Sequence, residues 1–369
     1  MKRSIRIGKV MGIPIKIHIS FLLVLVLFPI VFSKDAEFGF ADVASVPLRY
    51  ALALTLTLLI FTCVLLHELG HSWVAMKYGI GIRSIMLIIL GGIAVMEEVP
   101  RNPRAEMRIS IAGPLVSLAI GVFCYISYAC LDSCNITQLP VITHIPYLLR
   151  SIAYINIGLF VFNLLPAFPM DGGRVLRAWY AGRIPYLQAT RKAVNIGKMF
   201  AIIMAVFGLL VPDAMWFILI AFFIYIGASE EEKYTEVSVT LEGISVRDLM
   251  TREIAYVQDN LTISELLRLM FEKKHLGYPV VDQFTGKIVG IVTFTDIRRV
   301  PMSEYGNVRV REVMTKKVSF IPEDADAVDA LKMMSTENVG QLLVQDNWVN
   351  HRHIVRNRPY KIDRGAWLQ

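Results

Sequence analysis

The first two thirds of the chain alternates long apolar runs with short basic segments. The opening run, "IHISFLLVLVLFPIVF" from Ile17 to Phe32, is followed by no small-residue cleavage site, so it reads as retained rather than removed as a signal. Further runs cover about 49–77, 107–131, 147–168, 193–211 and 214–228. Several approach or exceed the ~20 residues that carry an α-helix across a bilayer. The pattern predicts a polytopic membrane domain of about six transmembrane helices. Between the second and third runs, "IRSIMLIILGGIAVMEEVP" is rich in β-branched residues around Gly91-Gly92. That composition predicts a hairpin or edge strands.

At Ser229 the pattern changes. "SEEEKYTEVSVTLEG" is acidic and reads as a linker, and beyond it the chain has the alternating short elements of a soluble α/β segment. An internal repeat lies there. "ISVRDLMTREIAYVQDNLTISELLRLMFEKKHLGYPVV" lines up with "VRVREVMTKKVSFIPEDADAVDALKMMSTENVGQLLV" about 65 residues later. The first copy continues into "GIVTFTDI", whereas the second, after Val344, runs into a basic tail without periodicity. The expected organisation is a membrane domain over 1–228, a linker over 229–243, a first motif over 244–300, an incomplete second motif over 301–347 and a divergent tail over 348–369.

Composition agrees with the spans: of 369 residues, 55% are hydrophobic and only 19% charged, well below the charge of an ordinary soluble domain. Lys2, Arg3, Arg6, Lys9 and Lys16 precede the first span, Arg83, Arg101, Arg104 and Arg108 separate the second from the third, and Arg174 to Lys198 follow the fourth. The alternate loops hold only Lys34. By the positive-inside rule the basic segments, the N-terminus and the C-terminal region all face the cytoplasm. The net charge of +7 is explained by these segments, and a nucleic-acid polymer is not implied. The four cysteines, Cys63, Cys124, Cys130 and Cys134, are not spaced as a zinc site. A Cys130–Cys134 disulfide and free thiols both stay open, and Asn135-Ile-Thr137 is a sequon only in a glycosylating compartment.

Ionisable groups inside apolar runs are the exception that calls for chemistry. His67-Glu68-Leu69-Gly70-His71 puts two imidazoles four residues apart, on one face of a helix, with a carboxylate beside them. Each charge at bilayer depth costs at least ~2.5–3.5 kcal/mol, so three together need a compensating partner, and a hydrated divalent cation is the natural one. A catalytic zinc takes three protein ligands and one open position. The third is expected at Asp171 in "FNLLPAFPMDGGR", where Pro166 and Pro169 break the fourth span and Gly172-Gly173 follow. Such a break is tolerated only where backbone lies in protein or lines water. The second and fourth spans run in the same direction, which brings His67, His71 and Asp171 to a similar depth on the cytoplasmic side.

His67-Glu68-x-x-His71 with Asn163-x-x-Pro166-x-x-x-x-Asp171-Gly172 resembles the site-2 protease family of intramembrane zinc metalloproteases. The repeat, with Gly290, Thr293 and Asp296 of its first copy, resembles a tandem of CBS (cystathionine-β-synthase-type) domains, as in the six-span subgroup that carries such a tail. The resemblance implies that His67, His71 and Asp171 hold one Zn2+, that Glu68 is the general base, and that Asn163 polarises the scissile carbonyl, although an Asn there also suits a bond to a neighbouring helix. It further implies a small membrane-associated β-sheet beside the metal, a transmembrane segment of another protein as substrate, the lipid bilayer as surroundings, and pairing of two chains through the CBS tandem. Thr293 and Asp296 would contact the ribose and phosphate of an adenine nucleotide; the same two residues also suit a simple helix N-cap. A protease of prenylated or soluble tails would need a glutamate third ligand, and none is obvious in the spans. A metal transporter and a nonenzymatic nucleotide sensor are the rivals from other classes.

Overall fold

The structure, a computed structural model, describes residues 4–35, 38–89, 91–96, 101–133, 144–212, 214–251, 254–337, 339–345 and 360–363. Cys134 and the sequon at 135–137 lie outside the described residues. The chain divides into two compact units, 1–237 and 238–369.

The first unit opens with strands β1 (Ser4–Val10) and β2 (Ile13–His18), then helices α1 (Phe21–Lys34) and α2 (Val46–Lys77). Strands β3 (Ile82–Ile88) and β4 (Gly91–Met96) follow, and then helices α3 (Pro103–Ser133), α4 (Ile145–Asn163), α5 (Asp171–Ala181), α6 (Tyr186–Leu210) and α7 (Trp216–Thr240). Four of these helices, α2, α3, α4 and α6, are long and apolar enough to cross a membrane, and α1 is a shorter apolar helix. Their outward faces are greasy: Leu58, Phe123, Ile203, Leu210 and Phe222 are all exposed. Apolar surface on that scale suits hydrocarbon rather than water.

The four strands form one sheet in the order β1-β2-β3-β4, antiparallel except for the parallel β2–β3 pair. β3 and β4 are the hairpin that Gly91-Gly92 predicts. Ile13, Ile15 and Ile85 from the sheet pack on Leu69 of α2, which lays β4 alongside the His67–His71 turn. On the other side, α2, α3 and α4 bury Leu56, Ile60, Cys63, Cys124 and Ile152 together. α4 ends at Asn163, where the two prolines stop it, and Asp171 starts a new helix. The acidic run expected as a linker over 229–243 differs: it is helical as far as Thr240. Its glutamates have partners that extend α7, namely Glu231 with Arg177, Glu232 with Lys198, and Glu236 with Arg191.

The second unit contains α8 (Val246–Leu249), β5 (Val257–Gln258), α9 (Ile263–Lys273), β6 (Gly277–Val281), β7 (Ile288–Thr293) and α10 (Phe294–Ile297). These are followed by α11 (Val310–Val313), β8 (Phe320–Pro322), α12 (Ala327–Glu337), β9 (Gln341–Gln345) and β10 (Tyr360–Asp363). Two sheets, β5-β6-β7 and β10-β9-β8, repeat one pattern: a parallel pair followed by an antiparallel partner. The tail is thus not wholly divergent, because Tyr360–Asp363 supplies the strand the second copy was expected to lack. The repeat is also exchanged. Val246, which opens the first copy, is buried with Ile321, Ala330, Met334, Leu342 and Val344 of the second. Val310, which opens the second, is buried with Val257, Ile263, Leu266 and Val280 of the first.

Candidate active site

α2 carries His67 and His71 one turn apart, and both are buried. Asp171 is the first residue of α5, where a carboxylate also meets the positive end of the helix. The Nε2 atoms of the two imidazoles are 3.1 Å apart. Asp171 Oδ2 lies 3.3 Å from His67 Nε2 and 3.2 Å from His71 Nε2. Those separations match the ~3.3 Å edge of a tetrahedron whose centre is ~2.0 Å from each ligand, the geometry of zinc with nitrogen and oxygen donors.

The far side of each ring sets its orientation. His71 Nδ1–H donates to the Ile109 carbonyl at 2.7 Å, which leaves the lone pair on Nε2. His67 Nδ1 meets Ser117 Oγ at 2.8 Å. Both partners are on α3, so one helix aims both imidazoles at the same point, as outer partners of metal-bound histidines do. Three lone-pair donors converge there, and a cation is the group that satisfies them. Among the described residues, His67, His71 and Asp171 form the one set of three that could hold a metal ion.

Glu68 points to the sheet instead. Its Oε2 accepts the Ala94 N–H of β4 at 3.2 Å. A Cβ on Gly92 would stand 2.5 Å from Glu68 Cγ, so glycine is what lets β4 pass. Gly113 has the same role toward the histidines, since a Cβ there would stand 2.2 Å from His71 Nε2. Asn163 is half-buried at the end of α4, with Nδ2 donating to the Leu159 carbonyl at 2.9 Å, a bond within its own helix.

In the second unit, Thr293 and Asp296 do meet, but as a helix cap. The Thr293 hydroxyl and N–H both donate to Asp296 Oδ2, at 2.7 and 3.0 Å. These two bonds close the first turn of α10.

Sequence reasoning missed Ser117, Gly113 and the Ile109 carbonyl. One signal was present: Ser110, Gly113 and Ser117 recur at helical spacing in "SIAGPLVS", the small-residue face that allows close helix approach. It also missed Arg177, a fully buried charge paired with Glu106 and Glu231.

The profile of peptidase family M50 matches residues 55–141 and 132–205, and that of the CBS domain matches 246–303 and 310–349. The chain is 40% identical to the zinc metalloprotease MJ0392 of Methanocaldococcus jannaschii over 340 residues, 92% of this chain and 91% of that one. It is 27% identical to the stage IV sporulation protein FB of Bacillus subtilis over 60% of this chain and 70% of that one. The solved site-2 protease from Methanocaldococcus jannaschii aligns with 43% identity and a TM-score of 0.44, over 62% of this chain and 95% of that chain. The chain belongs to peptidase family M50, the site-2 type of zinc metalloprotease, and carries a CBS-domain pair. It is a membrane protein.

Proposed function

We propose that the protein hydrolyses peptide bonds within or near the transmembrane segments of other membrane proteins, with His67, His71 and Asp171 holding one catalytic zinc. The observation that carries this reading is the convergence of three donor atoms 3.1–3.3 Å apart at the base of apolar helices. When bound, zinc polarises a peptide carbonyl and makes water acidic enough to deprotonate near neutral pH. Glu68 is the general base. It accepts a proton from the attacking water, whose oxygen bonds to the carbonyl carbon, and returns that proton to the amine nitrogen as the C–N bond breaks.

The hairpin supplies the place for substrate. β4 is an edge strand of the sheet, and its Ala94 N–H already touches Glu68. A helix hides its carbonyls in i→i−4 bonds, so a scissile segment must unwind, and an unwound segment can add to β4 as a further strand. That arrangement would deliver its carbonyl beside the base. Asn163 would then help hold the carbonyl oxygen after its amide swings off Leu159.

The topology in this reading has six spans, with α1 and the apolar start of α7 joining the four long helices. The basic segments support a cytoplasmic N-terminus and a cytoplasmic CBS pair. The CBS pair is proposed as a regulatory sensor of an adenine nucleotide, with Thr293 and Asp296 near the ligand, and as the surface through which two chains pair. The test is co-expression of a single-span substrate with wild type and with Glu68→Gln. Wild type should give a cleaved product, and Glu68→Gln should retain one zinc per chain while losing at least ~100-fold in rate. Cleavage by Glu68→Gln at the wild-type rate would refute the assignment.

A further inference from the structure

Arg177 is the largest fully buried side chain among the described residues, at 2% exposure, and no step of the proposed chemistry uses it. Its Nε and Nη2 both reach Glu106 Oε1, at 2.7 and 2.5 Å, and its Nη1 reaches Glu231 Oε1 at 2.5 Å. The guanidinium also lies over the rings of Phe168 and Tyr186, 5.0 and 5.1 Å from their centres. Five segments therefore meet at one residue: α3 through Glu106, the turn before Asp171 through Phe168, α5 itself, α6 through Tyr186, and α7 through Glu231.

Stability alone does not explain such a group. A buried ion triad typically adds little net stability, because desolvation offsets the attraction, and well-packed apolar residues often do as well or better. Glu106 Oε2, moreover, is buried without a hydrogen-bond partner among the described residues. What the triad does fix is geometry. Glu106 lies three residues before Ile109, whose carbonyl orients His71, and Arg177 lies six residues after Asp171 on the same helix. The Glu106–Arg177 bond therefore ties the helix that aims the imidazoles to the helix that presents the carboxylate.

We infer that the Glu106–Arg177–Glu231 triad is a positioning network that holds Asp171 at bonding distance from a metal shared with His67 and His71. Through Glu231 the network includes α7, the helix that runs past Val237 into the second unit, so displacement of α7 would loosen the ligand set. This inference rests on the proposed metal site.

The test uses the full-length, detergent-purified chain loaded with Co2+, whose visible absorption reports four-coordinate geometry. Three proteins are compared: wild type, Arg177→Lys, and Glu106→Leu/Arg177→Met, the last replacing the buried pair with apolar groups. Metal-free thermal unfolding shows which variants fold. The expected result is a folded variant whose Co2+ dissociation constant rises ~10–100-fold, as for other outer-sphere changes, with a weakened four-coordinate band. Wild-type affinity and spectrum in a folded variant would overturn the inference, as would failure of both variants to fold, which would make the triad purely structural. A wild-type chain that takes up no Co2+ would instead refute the metal site itself.

Discussion

Gly113 of α3 lies so close to His71 of α2 that a methyl group on it would stand 2.2 Å from Nε2, the atom that faces Asp171. The ring has little room to retreat, because Nδ1 is tied to the Ile109 carbonyl on the same helix. Gly113→Ala should therefore displace His71 and weaken zinc binding by more than ~10-fold. Alanine is the better helix former by ~1 kcal/mol, so metal-free stability should not fall by the same cause. Chelator competition and metal-free unfolding, measured together, separate the two effects.

Ser117→Ala removes the only hydrogen bond given to His67 Nδ1 among the described residues. The ring then loses the partner that orients it and raises its basicity. Zinc affinity should drop ~10–100-fold, while Ser117→Thr, which keeps a hydroxyl, should recover part of the loss. Equal affinity in wild type and Ser117→Ala would show that the ring is held by packing alone.

Val310→Ala tests the exchange within the repeat. By sequence Val310 opens the second copy, yet it is buried in the core of the first. The substitution should cost ~1–3 kcal/mol. Hydrogen exchange on the full chain should quicken in β5, β6 and β7 before β8 and β9. The reverse order would contradict the exchanged packing.

Adenine nucleotide binding at the second unit predicts a ligand-dependent stabilisation. ATP at about 100 times its Kd should add ~2.7 kcal/mol to the unfolding free energy of that unit. Asp296→Ala should abolish the increment and separately cost ~1 kcal/mol, because Asp296 also closes the cap with Thr293. An unchanged melting profile with ATP, ADP and AMP would leave the cap as the sole role of the pair.

The apolar runs, the H-E-x-x-H spacing and the broken fourth helix were all legible along the chain, because each depends on local period or on the cost of placing charge in hydrocarbon. His67 and His71 share a face by helical geometry alone, and Asp171 stands out as the only carboxylate in the stretch from Phe162 to Arg174, where two prolines break the fourth span. The repeat and the Gly91-Gly92 hairpin follow from short-range pattern in the same way. Distances between elements do not. Ser117 and the Ile109 carbonyl orient the histidines across some 40 to 50 positions of sequence, with 2.8 and 2.7 Å contacts that no local pattern encodes. The acidic run after Ser229 read as a linker because its charges looked solvated; it is helix because Arg177, Arg191 and Lys198 lie opposite its glutamates. Tyr360–Asp363 was invisible as a strand because four alternating residues are too short a run to stand out of the basic tail, and they are recruited by pairing with β9. What the sequence determined alone was which groups would need a cation. Which neighbours aim those groups at it depended on the packing of α3, α5 and α7, since only the folded backbone brings distant residues into bonding range.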